Sequence, residues 1–120
     1  MTDTAPAAAT PPVSPDPDVS ELMDAVRALA NPMRLQMLVW LRDPVRHFAE
    51  WEEIADPIEV GVCVGHIQAK AGLAQSTVSA YLAELQRAGL VRATRVGKWT
   101  HYRRDEQRIA QFVALLGRTL

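Results

Sequence analysis

The sequence predicts a mainly α-helical fold with one small β-hairpin, in the order α-α-α-α-β-β-α, on three observations. Apolar residues recur at helical spacing in five separate stretches. Glycine and proline punctuate the joints between them. Between Leu90 and Arg103 the pattern changes to two short strands, Leu90-Val91 onward and Trp99 to Arg103, joined through Val96-Gly97-Lys98.

The first eighteen residues hold Pro6, Pro11, Pro12, Pro15 and Pro17 among Ala, Thr and Asp. Such a stretch sustains no helix and buries little apolar area, so a disordered tail over 1–18 and one folded domain over 19–120 are expected. Ser20 is a fair N-cap for a first helix with Leu22, Met23, Val26, Leu29 and Ala30 on its apolar face. Asn31-Pro32 ends that helix and opens a second, Met33 to Leu41, with Leu35, Leu38, Val39 and Leu41 for the core and Trp40 at its edge. Pro44 and Pro57 bracket an acidic segment, VRHFAEWEEIAD, with room for a short helix.

Val62, Val64, Ile67 and Ala71 suit a third helix. Gly72 after it supplies a tight turn, left-handed if need be, that swings a fourth helix across the third. In that helix, Gln75 to Ala88, the residues Val78, Leu82 and Leu85 form the apolar stripe. Its first turn instead crowds Gln75, Ser76, Thr77 and Ser79, short polar side chains that could read base edges or simply cap the helix start. Gly89 stops it. Beyond the hairpin, Asp105 can cap a last helix whose stripe, Ile109, Phe112, Val113, Leu115 and Leu116, is wide for a terminal helix on so small a domain. With the first helix it is expected to form a homodimer interface, intramolecular packing being the plainer alternative.

This order is a helix-turn-helix running into a two-stranded wing, an architecture that places a helix N-terminus in a major groove and a hairpin along phosphates. The wing cations are Arg95 and Lys98; His101 is expected to meet phosphate or solvent. A net charge of −1 looks unsuited to nucleic acid, yet charge is unevenly spread. Residues 1–24 carry five acids and no Lys or Arg, whereas residues 60–108 carry eight Lys and Arg against Glu84, Asp105 and Glu106, a net +5. The basic half coincides with the groove-reading half.

Other classes fit less well. No apolar run is long enough to cross a bilayer and no signal pattern opens the chain, so a cytoplasmic protein without membrane contact is expected. One cysteine, Cys63, excludes an internal disulfide. No nucleophile-base-orienter arrangement or phosphate loop can be picked out, so catalysis is not expected, and no cofactor is called for. A protein-binding module built on the same helix and hairpin is the alternative function, because fold alone does not establish DNA binding.

Three pieces, ALANPMRLQMLVWL, LAQSTVSAYLAELQRAGLV and GKWTHYR, together resemble the ArsR/SmtB family of bacterial winged-helix repressors over about residues 20–118. The resemblance implies a homodimer paired through first and last helices that binds an inverted-repeat operator in double-stranded DNA. It places Gln75, Ser76, Thr77, Ser79 and Tyr81 at bases or nearby phosphates, with Arg95 and Lys98 in the wing. It also implies release by an effector, whether metal, redox signal or small molecule.

The family's metal sites match poorly. Where thiolate sensors carry Cys-Val-Cys, this chain has Cys63-Val64-Gly65, and Gly65 supplies no soft ligand. The last helix has Asp105 and Glu106 but no His, so the carboxylate-imidazole site of other members looks absent. A different cluster of Cys63 with His66 at i+3 and His47 is conceivable; a buried Cys63 with His66 and His47 solvated is the simpler reading. Redox sensing by Cys63 would need a lowered pKa and access. The 43–61 segment exceeds the family's usual turn and could wall an effector site with Phe48 and Trp51, or fold these aromatics back onto the core.

Overall fold

A computed structural model of the chain describes residues 11–120; the first ten residues of the expected tail lie outside the described residues. The first helix, α1 (Pro17–Leu29), begins three residues before Ser20, with Asp16 as its N-cap residue. Pro17 is a helix starter here: its missing N–H lies among the donors left free at a helix start, and its fixed φ is already helical. Asp18 in the first turn adds favourable charge.

Helix α2 (Pro32–Arg42) starts as expected at Asn31, whose Oδ1 accepts from the backbone N–H of Met33 (2.9 Å) and Arg34 (3.0 Å). Its buried face is Met37, Leu38 and Leu41. Leu35 and Val39, expected in the core, are 46% and 45% exposed. The helix is apolar on most of its circumference, and packing selected the face. The acidic segment contributes only the single turn α3 (Pro44–His47) before running on through turns, one closed by Asp56 Oδ1 accepting from the N–H of Ile58 and Glu59.

Val62–Cys63 forms a strand, β1, where a helix was expected to begin, so helix α4 runs only over Val64–Ala71. The strands β2 (Val91–Val96) and β3 (Trp99–Arg104) make the expected hairpin, pairing Val91 with Arg104 through to Val96 with Trp99. β1 pairs antiparallel with the outer edge of β3, Val62 opposite Tyr102 and Cys63 opposite His101. The sheet is thus three-stranded, in the order β1-β3-β2. Gly61 makes the approach possible: at φ 122° a Cβ would lie 2.5 Å from the carbonyl carbon of Tyr102.

Helix α5 (Gln75–Arg87) and helix α6 (Glu106–Thr119) complete the chain, the latter capped by Asp105, which accepts from the N–H of Arg108. Met37, Ile67, Val78, Leu82, Leu85 and Leu90 are buried at the centre, drawn from α2, α4, α5 and the start of the hairpin. Ile109 and Phe112 of α6 pack against this core and Leu115 is buried, whereas Val113 is 58% exposed. The wide apolar stripe of α6 therefore splits into an inward and an outward part.

Candidate nucleic-acid interface

The turn between α4 and α5 rests on Gly72, whose backbone is left-handed (φ 67°, ψ 25°) and whose N–H donates to the carbonyl of Gln68 at 2.9 Å. Nothing lies within 4 Å of where its Cβ would stand, so conformation and not space calls for glycine. From this turn α5 emerges with Val78, Leu82 and Leu85 fully buried at i, i+4 and i+7, which fixes its rotation. The opposite face is thereby committed to solvent.

Gln75 and Ser76 are exposed at the start of the helix, and Thr77, Ser79 and Tyr81 are half-buried, Tyr81 lying beside the buried stripe at i+3 from Val78. The N-cap residue is Ala74, and no side chain caps the helix. The capping role open to Ser76 and Thr77 is not taken up. An uncapped helix start leaves backbone donors and the positive end of the helix dipole facing outward, an arrangement suited to a phosphate. Tyr81 is the most constrained of the five: it packs against the core and the Arg34 guanidinium lies 5.5 Å from its ring centroid. Sequence reading missed Arg34. Its Nε donates to the carbonyl of Ala28 (2.7 Å) and its Nη2 to that of Arg27 (3.1 Å), tying the end of α1 to the start of α2.

The wing turns at Gly97, φ 60°, with Lys98 as the second residue of a two-residue connection. Many cations of the basic half are already engaged. Lys70 lies 3.9 Å from Glu50, Arg87 pairs with Glu84, Arg92 lies 3.8 Å from Asp105, and Arg104 pairs with Glu106 at 2.9 Å. Among the described residues Arg95 and Lys98 make no ion pair. Arg95 is exposed and its Nε donates to the carbonyl of Gly97 at 3.2 Å; Lys98 Nζ sits 5.6 Å over the ring of Trp99. Trp99 itself is 44% exposed at the wing tip. It went unremarked as a site residue because an aromatic in a strand reads first as packing.

His101 is not at the surface of the wing. It is wholly buried opposite Cys63, and among the described residues neither ring nitrogen has a hydrogen-bond partner. Opposed residues of an antiparallel pair share a sheet face, so His101 lies on the face of the buried Cys63, and α2 and α4 both pack against β3. Burial, aided by His66 nearby, pushes its pKa down, and the neutral ring is favoured.

The remaining candidates gather elsewhere. Phe48, Trp51, Cys63 and His66 line one cavity beneath the 43–61 segment. Cys63 is buried, and His66, half-buried, is stacked on Trp51 with centroids 6.0 Å apart. His47 ends α3 and does not line that cavity. Among the described residues no group of three or more His, Cys, Asp or Glu is placed to hold a metal ion, and no helix is long and apolar enough to cross a membrane.

Known proteins agree with this geometry. The chain is 48% identical over 96 residues to YbzH, an HTH-type transcriptional regulator of Bacillus subtilis, covering 80% of this chain and 95% of that protein. The homodimeric winged helix-turn-helix DNA-binding domain of Mb0332 from Mycobacterium bovis, a possible ArsR-family transcriptional regulator, superposes with a TM-score of 0.57. It shares 26% identity over 91% of this chain and 90% of that one. An ArsR-like transcriptional regulator from Rhodococcus sp. RHA1 shares the fold at a TM-score of 0.61, with 21% identity over 84% of this chain and 80% of that one. No family model matches the chain.

Proposed function

The chain belongs to the ArsR/SmtB family of winged helix-turn-helix transcriptional regulators, and from that premise we propose that it is a homodimeric repressor released from its operator by an effector. The observation that carries the DNA-binding part is the α5 start. It is uncapped and polar, and it is accompanied by a wing whose two tip cations have no carboxylate partner among the described residues. In this reading Gln75 and Ser76 meet base edges, Thr77, Ser79 and Tyr81 support them or touch phosphates, and Arg95 with Lys98 lie along the backbone.

Dimerisation is proposed through α1 and α6. Val113 and Val26 stay exposed on these helices, beside a groove of about 650 Å³ that includes Leu22, Phe112 and Leu115 in its wall. A second copy of the same surface would cover them. The Mycobacterium bovis domain is homodimeric, which supports a dimer here. The two recognition helices of such a dimer must stand about 34–36 Å apart to read successive half-sites, so a signal need only alter subunit orientation to release DNA.

The test is titration of the protein against its own upstream DNA and a scrambled duplex at two salt concentrations. Preference for the upstream site of at least ~10³-fold, with affinity falling steeply in salt, is expected. Equal weak binding to both, with a shallow salt dependence, would favour a protein-binding module instead.

A further inference from the structure

We propose that the cavity walled by the 43–61 segment binds a small aromatic cation, a one- or two-ring amine, and that its occupancy is the signal that releases the operator. The second half rests on the repressor reading above. The cavity measures about 260 Å³. A cavity of about 150 Å³ lined by apolar side chains accepts benzene, so this one has room for a substituted ring.

Its walls come from three elements. Trp51 of the inserted segment, half-buried, presents aromatic surface beside Phe48, which has folded back into the core, their centroids 6.1 Å apart, and Val62 and Cys63 of β1 with His66 of α4 form the facing side. Val45 and Ile54, two apolar side chains left 54% and 50% exposed, border the same space. A ring entering there would cover them.

Charge selects the sign of the ligand. Residues 43–60 carry Asp43, Glu50, Glu52, Glu53, Asp56 and Glu59 against a single cation, Arg46, and Glu53 lines the cavity. Lys70, paired with Glu50, already lies over the rings of Trp40 and Phe48, which leaves Trp51 as the aromatic face for an incoming cation. Burial lowers the pKa of His66, so it adds no positive charge near neutral pH. Aromatic faces with a carboxylate at the rim attract an organic cation, and an organic anion is repelled.

Coupling to DNA runs through α4. Cys63 is its N-cap residue and His66 lies in its first turn, while its last turn leads through Gly72 into α5. A ligand wedged between the inserted segment and α4 acts on the helix that positions the reading helix. To release DNA it must bind the low-affinity arrangement more tightly than the DNA-bound one.

The probe is 1-naphthylmethylamine, with 1-naphthoate as the same ring bearing the opposite charge, each titrated calorimetrically into the full-length protein without DNA. Saturable binding of one amine per chain is expected, at least ~10-fold tighter than the carboxylate. Trp51→Ala should abolish it. Glu53 is exposed, so Glu53→Gln tests charge without disturbing packing and should erase the preference for the amine. No saturable binding, equal affinity for both probes, or indifference to both substitutions would overturn the site. Operator titration with and without the amine separates the two halves. An amine that binds as expected yet leaves operator affinity unchanged overturns the release role alone, whereas a protein that binds the amine but no operator refutes the repressor reading and keeps the site.

Discussion

Replacing Lys98 with Ala should lower affinity for every DNA sequence alike and flatten the dependence on salt. Each phosphate neutralised contributes about −0.9 to the slope of log K against log salt on duplex DNA. A dimer presents two wings, so the substitution removes up to two contacts and flattens the slope by about 1.8. Between 50 and 200 mM salt the wild type should then lose about twelvefold more affinity than the variant. Among the described residues Lys98 makes no ion pair, and it lies 5.6 Å over the ring of Trp99, so the fold loses little. Arg104→Ala is the control: Arg104 is held by Glu106 and by the carbonyl of Leu38, and its loss should reduce stability with the slope unchanged. Fluorescence anisotropy at four or more salt concentrations reads both. A steep wild-type slope that Lys98→Ala leaves unaltered refutes the placement of the wing on phosphates.

Gln75→Ala should narrow the gap between operator and scrambled duplex, by about 1–3 kcal/mol if the side chain makes a bidentate base contact, at an unchanged salt slope; competition binding checks this. Gly61→Ala should destabilise the protein, since the new Cβ meets the Tyr102 backbone at a left-handed φ, and thermal melting should fall by several degrees. His101 titrates below its unfolded value, so the unfolded chain takes up a proton first as pH drops. The neutral ring's contribution is therefore complete above the ordinary histidine range and is lost as pH falls through the lowered folded value, with a slope of at most about 1.4 kcal/mol per pH unit. His101→Leu, which removes a buried ring without hydrogen-bond partners, should flatten the acid limb of stability against pH; an unchanged limb in chemical denaturation would assign the proton uptake elsewhere.

Much local chemistry was legible in the sequence where one short stretch decides the outcome, although Ser20, read as the first N-cap, lies inside α1. Asn31-Pro32 stops one helix and caps the next, Gly72 takes the left-handed turn, Val78, Leu82 and Leu85 orient α5, Gly97 closes the hairpin, and Asp105 caps α6. These depend on φ/ψ limits, helical period and capping groups, all within a few residues of one another. They also carried the family resemblance and the helix-turn-helix reading.

What only the tertiary structure decided involves residues far apart in the chain. A two-residue β1 has no signal of its own; it exists because the edge of β3, nearly forty residues on, offers free backbone groups and Gly61 allows the approach. His101 of β3 is wholly buried, which its place in a wing strand does not announce. Helix α2 is apolar nearly all round, so its neighbours and not its period chose Met37 over Leu35 and Val39. The local charge count could not tell engaged cations from free ones, because Arg104 is claimed by Glu106 and by a carbonyl on α2. Nor could sequence show Phe48, Trp51, Cys63 and His66 around one cavity, since enclosure is a property of surfaces folded against each other and no single stretch encodes it.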